Sequence, residues 1–302
     1  MKSEASFNGI SRRAFLGAAV AATTLTLPTG RAVAAAKSEE VRGGLVDVNV
    51  SLSRWPLRRL PCDELPALVA KLRRHGVKQA WVGSFDGLLH KDLGAVNARL
   101  ALECRQQGRS LLLPFGSVNP KAPDWEEELR RCAEIHKMPG LRLHPSYHGY
   151  KLDDPDFAQL LRLAADRHLL VQLVLAMEDE RAMHPLLRVA PVDPTPLAEM
   201  VKHVPGLRLT LLNALRTLRG ESLRKLLASG EVYVEIAMLE GVGGVARLLE
   251  QVPLQRVLFG SHAPFFYFES ALLKLQESPL SREQLHAIRR ENAQRLVAAN
   301  PK

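Results

Sequence analysis

The sequence is sparing in the residues that build small stapled modules. Among 302 residues there are 3 cysteines, at positions 62, 104 and 132. No C-x-x-C pair occurs, so neither a disulfide framework nor a structural zinc module is indicated. The three read as buried or half-buried apolar thiols on helices. With 20 glycines and 19 prolines the chain is too ordinary for collagen or low-complexity sequence. The uncharged run from Leu16 to Pro28 is about 13 residues, short of the roughly 20 that span a bilayer, so no integral membrane span is expected. Aromatics make up 5%, and the basic groups Lys71, Arg73, Arg74, Arg130, Arg131, Arg224 and Lys225 stand on helices without aromatics gathered beside them. The net charge of +9 therefore does not read as a nucleic-acid surface. What remains is the balance of a soluble globular protein, 46% apolar and 24% charged, at a length that α/β barrels use for one domain.

The first residues carry an export pattern. Ser11-Arg12-Arg13-Ala14-Phe15-Leu16-Gly17 is a twin-arginine motif, followed by the uncharged run and by Ala32-Val33-Ala34-Ala35-Ala36. That is the order of a cleavable signal peptide. Residues 1–36 are expected to be removed, with cleavage just before Ala35 or Lys37, leaving a barrel over 37–302 that is periplasmic or secreted. Loss of Lys2, Glu4, Arg12, Arg13 and Arg31 lowers the net charge from +9 to +6.

From residue 45 onward apolar β-rich runs alternate with amphipathic stretches eight times. Strands are expected at 45–52, 79–85, 111–119, 140–145, 170–176, 207–213, 232–239 and 256–262. Helices are expected at 64–75, 92–107, 124–138, 155–168, 196–203, 221–228, 244–251 and 283–300, supported by spacings such as Leu160, Leu161, Leu163 and Ala164. Eight uninterrupted repeats predict an α/β fold, a single (β/α)8 TIM barrel, over an open doubly wound sheet.

In such a barrel the chemistry lies at the C-terminal ends of the strands. Strand alternation places Asp47, Asn49 and Ser51 on one face, Ser84 with Asp86, Ser117 with Asn119, and Arg142 with His144. His148, Gln172, Glu178, Asp179, Arg181, His184, Asn213, Glu235 and His262 fall at or just beyond the later strand ends. His90 ends a loop that reaches the mouth, and the run Pro264-Phe265-Phe266-Tyr267-Phe268 suits a pocket wall or lid. An Arg or Glu inside a barrel requires a partner or solvent, so a polar cavity is expected there.

Three landmarks resemble the amidohydrolase-related (amidohydrolase 2) family of metal-dependent hydrolases. They are Val46-Asp47-Val48-Asn49-Val50-Ser51, the segment from Gly140 through Arg142 and His144 to Pro145, and the segment from Leu258 through Ser261 and His262 to Pro264. The ending around Asn292 to Leu296 fits as well. The resemblance implies a barrel hydrolase or a non-oxidative decarboxylase. It also implies metal ligands that this chain has replaced: Asn49 and Ser51 stand where the family has two histidines, Asn213 where it has a histidine, and His262 where it has an aspartate. No cofactor is therefore expected, with zinc or manganese at a rebuilt site of His144, His148, Glu178 and His262 as the alternative. The expected function is an exported hydrolase of a lactone, ester or amide, working without the usual metal centre. His262 and His144 would be general acid or base, Arg142 a carboxylate or oxyanion anchor, and Glu235 an orienting carboxylate. Asn49, Ser51, His90, His148, Gln172, Glu178, His184 and Asn213 would bind the substrate. A decarboxylase on the same scaffold and a non-catalytic barrel binding a small acid are the alternatives. The partner is a small molecule, and the sequence is compatible with a homo-oligomer. No nucleophile elbow accompanies Ser261.

Overall fold

The computed structural model describes residues 44–108 and 110–298. The export segment 1–36 lies outside them. Eight strands form one sheet in sequence order, β1 Leu45–Leu52, β2 Val77–Ser84, β3 Leu112–Gly116, β4 Gly140–Leu143, β5 Leu170–Val174, β6 Arg208–Leu212, β7 Glu231–Glu235 and β8 Val257–Leu258. Each pairs with the next in parallel. The last strand returns to the first: Val48 N donates to Phe259 O (3.0 Å), Ser51 N donates to Ala263 O (2.9 Å), and Val50 bridges Ala263. The expected barrel is present.

Helices α1 Leu65–Arg74, α2 Leu93–Glu103, α3 Trp125–Glu134, α4 Pro155–Asp166, α5 Leu197–Lys202, α6 Gly220–Ala228 and α7 Gly244–Leu249 fill the connections. Their leucines, among them Leu72, Leu129, Leu160 and Leu226, pack with Val82, Leu141, Leu173 and Leu209 of the strands in the layer outside the sheet. A second cluster runs along the barrel axis, from Ala293 and Leu296 past Trp81 and Phe115 to Trp55, Phe85 and Phe265. Three α-helices follow β8, the second being Arg282–His286. α8 Phe268–Gln276 lies within the segment expected to be loop, and α9 Asn292–Ala298 ends the described chain.

Strand ends are shorter than the sequence suggests. The 207–213 run stops pairing at Leu212 and the 256–262 run at Leu258. Asn213 (φ 57°) and His262 (φ 58°) take left-handed backbone there, a conformation that Asn and His enter more readily than most residues. The expected helix 283–300 is three pieces, Arg282–His286, a π-helical turn Ala287–Glu291, and α9. The turn lets Ile288 O accept from Phe259 N (3.1 Å), tying the closing helix to β8. Alternation also fails once, in β1. Val46 and Val48 pack on the axis while Val50 and Leu52 pack outward, and the register against β2 shifts between Asp47 and Val50. A bulge of this kind moves side chains to new faces, so Asp47 and Asn49 do not share one.

Candidate active site

Under the barrel mouth lies a closed polar network. Asn49 Nδ2 donates to Asn213 Oδ1 (2.8 Å) and to Glu235 Oε1 (3.3 Å). Glu235 also accepts from the backbone N–H of Asn213 (2.6 Å) and Ala237 (2.5 Å). Asn213 Nδ2 donates to Ala176 O (2.7 Å) and lies 3.5 Å from His262 Nε2. Asp47 turns the other way: Oδ2 accepts from Ser261 Oγ (2.5 Å), and Oδ1 accepts from the amides of Asn49 and Ser261 (3.0 Å each). Burial raises its pKa to about 7 against these donors. Glu235 is likewise raised by burial, opposed by its N–H donors.

Arg142 is consumed by the scaffold. Nε donates to Gln172 Oε1 (2.8 Å), Nη1 to Val50 O (2.6 Å), and Nη2 to Trp81 O (3.0 Å) and Val48 O (3.4 Å). Gln172 Nε2 completes the set on Val48 O (2.7 Å). Four of the five guanidinium donors thus meet protein acceptors, which leaves little to offer a substrate carboxylate or an oxyanion. Arg142 and Glu235 do not pair with each other: carbonyls satisfy the guanidinium and N–H groups the carboxylate. Two glycines make room for these groups. A Cβ on Gly83 would lie 2.7 Å from Arg142 Cδ, and one on Gly260 would lie 2.2 Å from Glu235 Oε2.

His262 is sealed as well. Its Nε2–H donates to Met177 O (2.8 Å), and its ring stacks on Phe265 with centroids 5.0 Å apart. A carbonyl only accepts, so Nε2 carries the proton and the buried Nδ1 is left bare, without a partner. Burial lowers its pKa to about 4, which keeps the ring neutral. Above it Trp55 packs edge-on against Phe265, Phe85 and Tyr147 at 5.1, 5.5 and 6.4 Å. The aromatic run after β8 therefore plugs the axis.

The open space is off-axis, over β4 to β8. One cavity of about 100 Å³ is lined by His144, Tyr147, Met177, Glu178, Met183 and Arg216 among others. A second, of about 420 Å³, is lined by Arg58, Glu178, Arg216, Phe265, Phe266 and Lys274 among others. Glu178 and Arg216 belong to both walls. His144 is buried with Nδ1 unpartnered, and burial beside His148, Arg142 and His262 holds its pKa well below the usual value. Tyr147 Oη is also buried without a partner, and burial raises its pKa. Both are neutral hydrogen-bonding groups. Glu178 is raised by burial, opposed by Arg58 Nη1, which donates to Oε2 at 3.4 Å. Arg216 pairs with Asp179 (2.8 Å).

The structure thus brings Asn49, Asn213, Glu235 and His262 into one network, with Arg142 and Gln172 bolted beside it. It places His144 and Glu178 on cavity walls. Ser51 is buried on β1. His148 is tied by Nε2 to Gly87 O (2.8 Å). His90, near Asp86 Oδ1 (3.9 Å), and His184 are exposed and line neither cavity. Tyr147, Arg58, Arg216 and Lys274 were not singled out by sequence. Arg216 and Tyr147 each follow a strand end by four residues, a usable signal. Lys274 rides a helix the sequence reading lacked.

The amidohydrolase family model matches residues 86–298. The chain belongs to the amidohydrolase family. Three solved structures share the barrel of this chain. A 2,6-dihydroxybenzoate decarboxylase from Rhizobium is 14% identical, with TM-score 0.65 over 85% of this chain and 99% of that one. A dihydroxybenzoic acid decarboxylase from Polaromonas sp. JS666, with bound manganese and 2-nitroresorcinol, is 13% identical, TM-score 0.67, over 86% and 98%. A 5-carboxyvanillate decarboxylase from Sphingomonas paucimobilis is 13% identical, TM-score 0.63, over 84% and 99%. At these identities the likeness is one of fold. No curated protein matches the chain in sequence.

The residues of this chain do not fit a divalent ion like that manganese. Among the described residues no three His, Cys, Asp or Glu side chains come together to hold one. Asn49 Nδ2 donates to Asn213 and Glu235, Asn213 Nδ2 donates to Ala176 O, Asp47 is saturated by three donors, and His262 Nε2 donates to a carbonyl. Metal sites need deprotonated, convergent donors. Nor is any described helix long and apolar enough to cross a membrane.

Proposed function

We propose that this amidohydrolase-family barrel is a lyase that removes the carboxyl group of a small acid without oxidation. The observation that carries the reading is Glu178, a buried carboxyl with a raised pKa that walls both cavities beside Arg216. Arg216 attracts the substrate carboxylate, and Glu178, whose burial favours the acid form, delivers a proton to the carbon that loses CO2. The C–C electron pair becomes the new C–H bond, and water reprotonates Glu178. His144 and Tyr147 orient the acid as neutral hydrogen-bonding groups. The decarboxylases of the same fold support this reading over hydrolysis.

Hydrolysis of a lactone, ester or amide needs a base that activates water. The two buried histidines are poor ones, since burial depresses both and His262 lies beneath Phe265. The main expectation from sequence is therefore set below its alternative. The twin-arginine segment supports export of the chain to the periplasm or beyond, with the mature chain beginning at Ala35 or Lys37. Replacing both Arg12 and Arg13 by Lys is expected to retain the protein in the cytoplasm, read by cell fractionation.

The test is a screen of hydroxybenzoic, enoic and 3-oxo acids for CO2 release, beside lactones and esters for hydrolysis. Glu178→Gln is expected to cut CO2 release by roughly 10²-fold or more, the scale of a lost general acid, with folding kept. Lactone or ester turnover that Glu178→Gln leaves intact would falsify the lyase reading. Acid binding without any turnover would make the barrel a binding protein instead.

A further inference from the structure

One half-buried amine at the mouth has no part in that scheme. Lys274 projects from α8 and lines the larger cavity. Its Nζ donates to the carbonyls of Ile236 (3.2 Å) and Ala237, just past the end of β7. Arg58 and Arg216 on the same wall meet Glu178 and Asp179, whereas no ion pair of the described residues includes Lys274. Two carbonyls match the two N–H bonds of a neutral amine and leave its lone pair in a third direction. The adjoining wall is apolar, formed by Met238, Leu239, Phe265 and Phe266. Burial lowers the pKa of this lysine, opposed by Glu235 and Glu240. A desolvated lysine in such surroundings is suited to attack carbonyl carbon. The cavity of about 420 Å³ falls in the range of small-molecule sites.

We propose that Lys274 Nζ condenses with the ketone of a 3-oxo acid and carries it through decarboxylation as a Schiff base. This rests on the lyase reading and names its substrate class. The Nζ–C bond forms as the ketone oxygen leaves as water, with one proton taken from solvent to give the iminium. The C–CO2 bond then breaks, and its electron pair moves into the iminium to make an enamine. Glu178 protonates the enamine carbon. Water hydrolyses the resulting iminium, releasing the ketone and the amine, and the proton set free returns to Glu178. The iminium supplies the electron sink that neither the neutral histidines nor the scaffold-bound Arg142 provides.

The experiment treats the purified chain with acetoacetate or acetone, reduces it with borohydride, and maps the modified lysines by peptide mass. The secondary amine is expected at Lys274 in about tenfold excess over exposed lysines such as Lys202, because a desolvated amine offers its lone pair more readily. Trapping at Lys274 should also plateau at lower pH than at Lys202. Lys274→Gln should lose the label. Should that variant not fold, the lysine-by-lysine ratio and pH profile of the parent chain decide alone. Even labelling of all lysines overturns the proposal. CO2 release from an aromatic acid without trapping overturns the role of Lys274 and leaves the lyase reading standing. Trapping without CO2 release from any acid overturns the lyase reading and the decarboxylation step together.

Discussion

Two polar regions sit at the same end of this barrel and differ in how their hydrogen bonds are spent. On the axis, Asp47, Asn49, Arg142, Gln172, Asn213 and Glu235 bond one another and the strand backbone. Over β4 to β8, His144 and Tyr147 keep buried polar atoms without protein partners on the wall of a cavity. Buried polar atoms are ordinarily paired, and the cost of leaving one unpaired is about 1–3 kcal/mol. The axial set therefore behaves as structure, and the off-axis set retains the capacity to bind. Polar strand ends locate a barrel mouth, but only the pairing tells which of them face a substrate.

The sharpest way to break that contrast is to remove Arg142. Its loss strands the buried carbonyls of Val50 and Trp81, leaves Val48 O to Gln172 alone, and takes a positive neighbour from Asp47 and Glu235. Arg142→Met is expected to destabilise the chain by roughly 3–5 kcal/mol, as breaking a buried charged network does. Denaturant midpoints measure it. A variant as stable as its parent yet inactive would move Arg142 into the substrate site.

The eight repeats and the mouth were legible because strand and helix periodicities survive in the sequence, and because Arg142, Glu235 and His262 are implausible inside a barrel without function or partners. Three things were not legible. The β1 bulge that parts Asp47 from Asn49 leaves alternation intact on paper. The left-handed turns at Asn213 and His262 end their strands early and bring the amide and the imidazole together, and nothing in the local composition announces them. The aromatic run after β8 was read correctly as a wall, but its packing on Trp55 shifts the open space away from the axis, toward Arg216 and Lys274.

A second effect, of a few kcal/mol, separates the carboxylate from the imidazole within the axial region. Asp47 has a folded pKa of about 7 against 3.8 for the free group, so between those values the folded chain holds a proton the unfolded chain has lost. Its contribution to stability is full below about pH 4 and is lost as pH rises to about 7. His262, lowered from 6.5 to about 4, acts in reverse: the unfolded chain takes up the proton first, so stability grows as pH rises from about 4 to about 6.5. The two trends oppose each other in the parent. Asp47→Asn removes the first and should expose the second as a rise in unfolding free energy from pH 4.5 to pH 6.5, at about 1.4 kcal/mol per unit of pKa shift. A variant profile parallel to the parent's would show that Asp47 is ionised throughout, held by its three donors.

The smallest effect belongs to the histidines that lie in neither region. The sequence put His90 and His184 near the mouth because both fall in loops after strands. His90 is half-exposed, with Asp86 Oδ1 3.9 Å away, and His184 uses Nδ1 to accept from Leu186 N (3.2 Å) in its own exposed loop. An exposed side chain with one weak or local partner contributes little, so His90→Ala and His184→Ala should each shift stability by less than about 0.5 kcal/mol. CO2 release should stay within a factor of about two of the parent, because neither ring lines a cavity wall. A large loss of turnover in His184→Ala, with stability kept, would mean that the loop carrying Glu178, Met183 and His184 moves onto the substrate. The binding region would then extend beyond the two cavities while the axial network stays sealed.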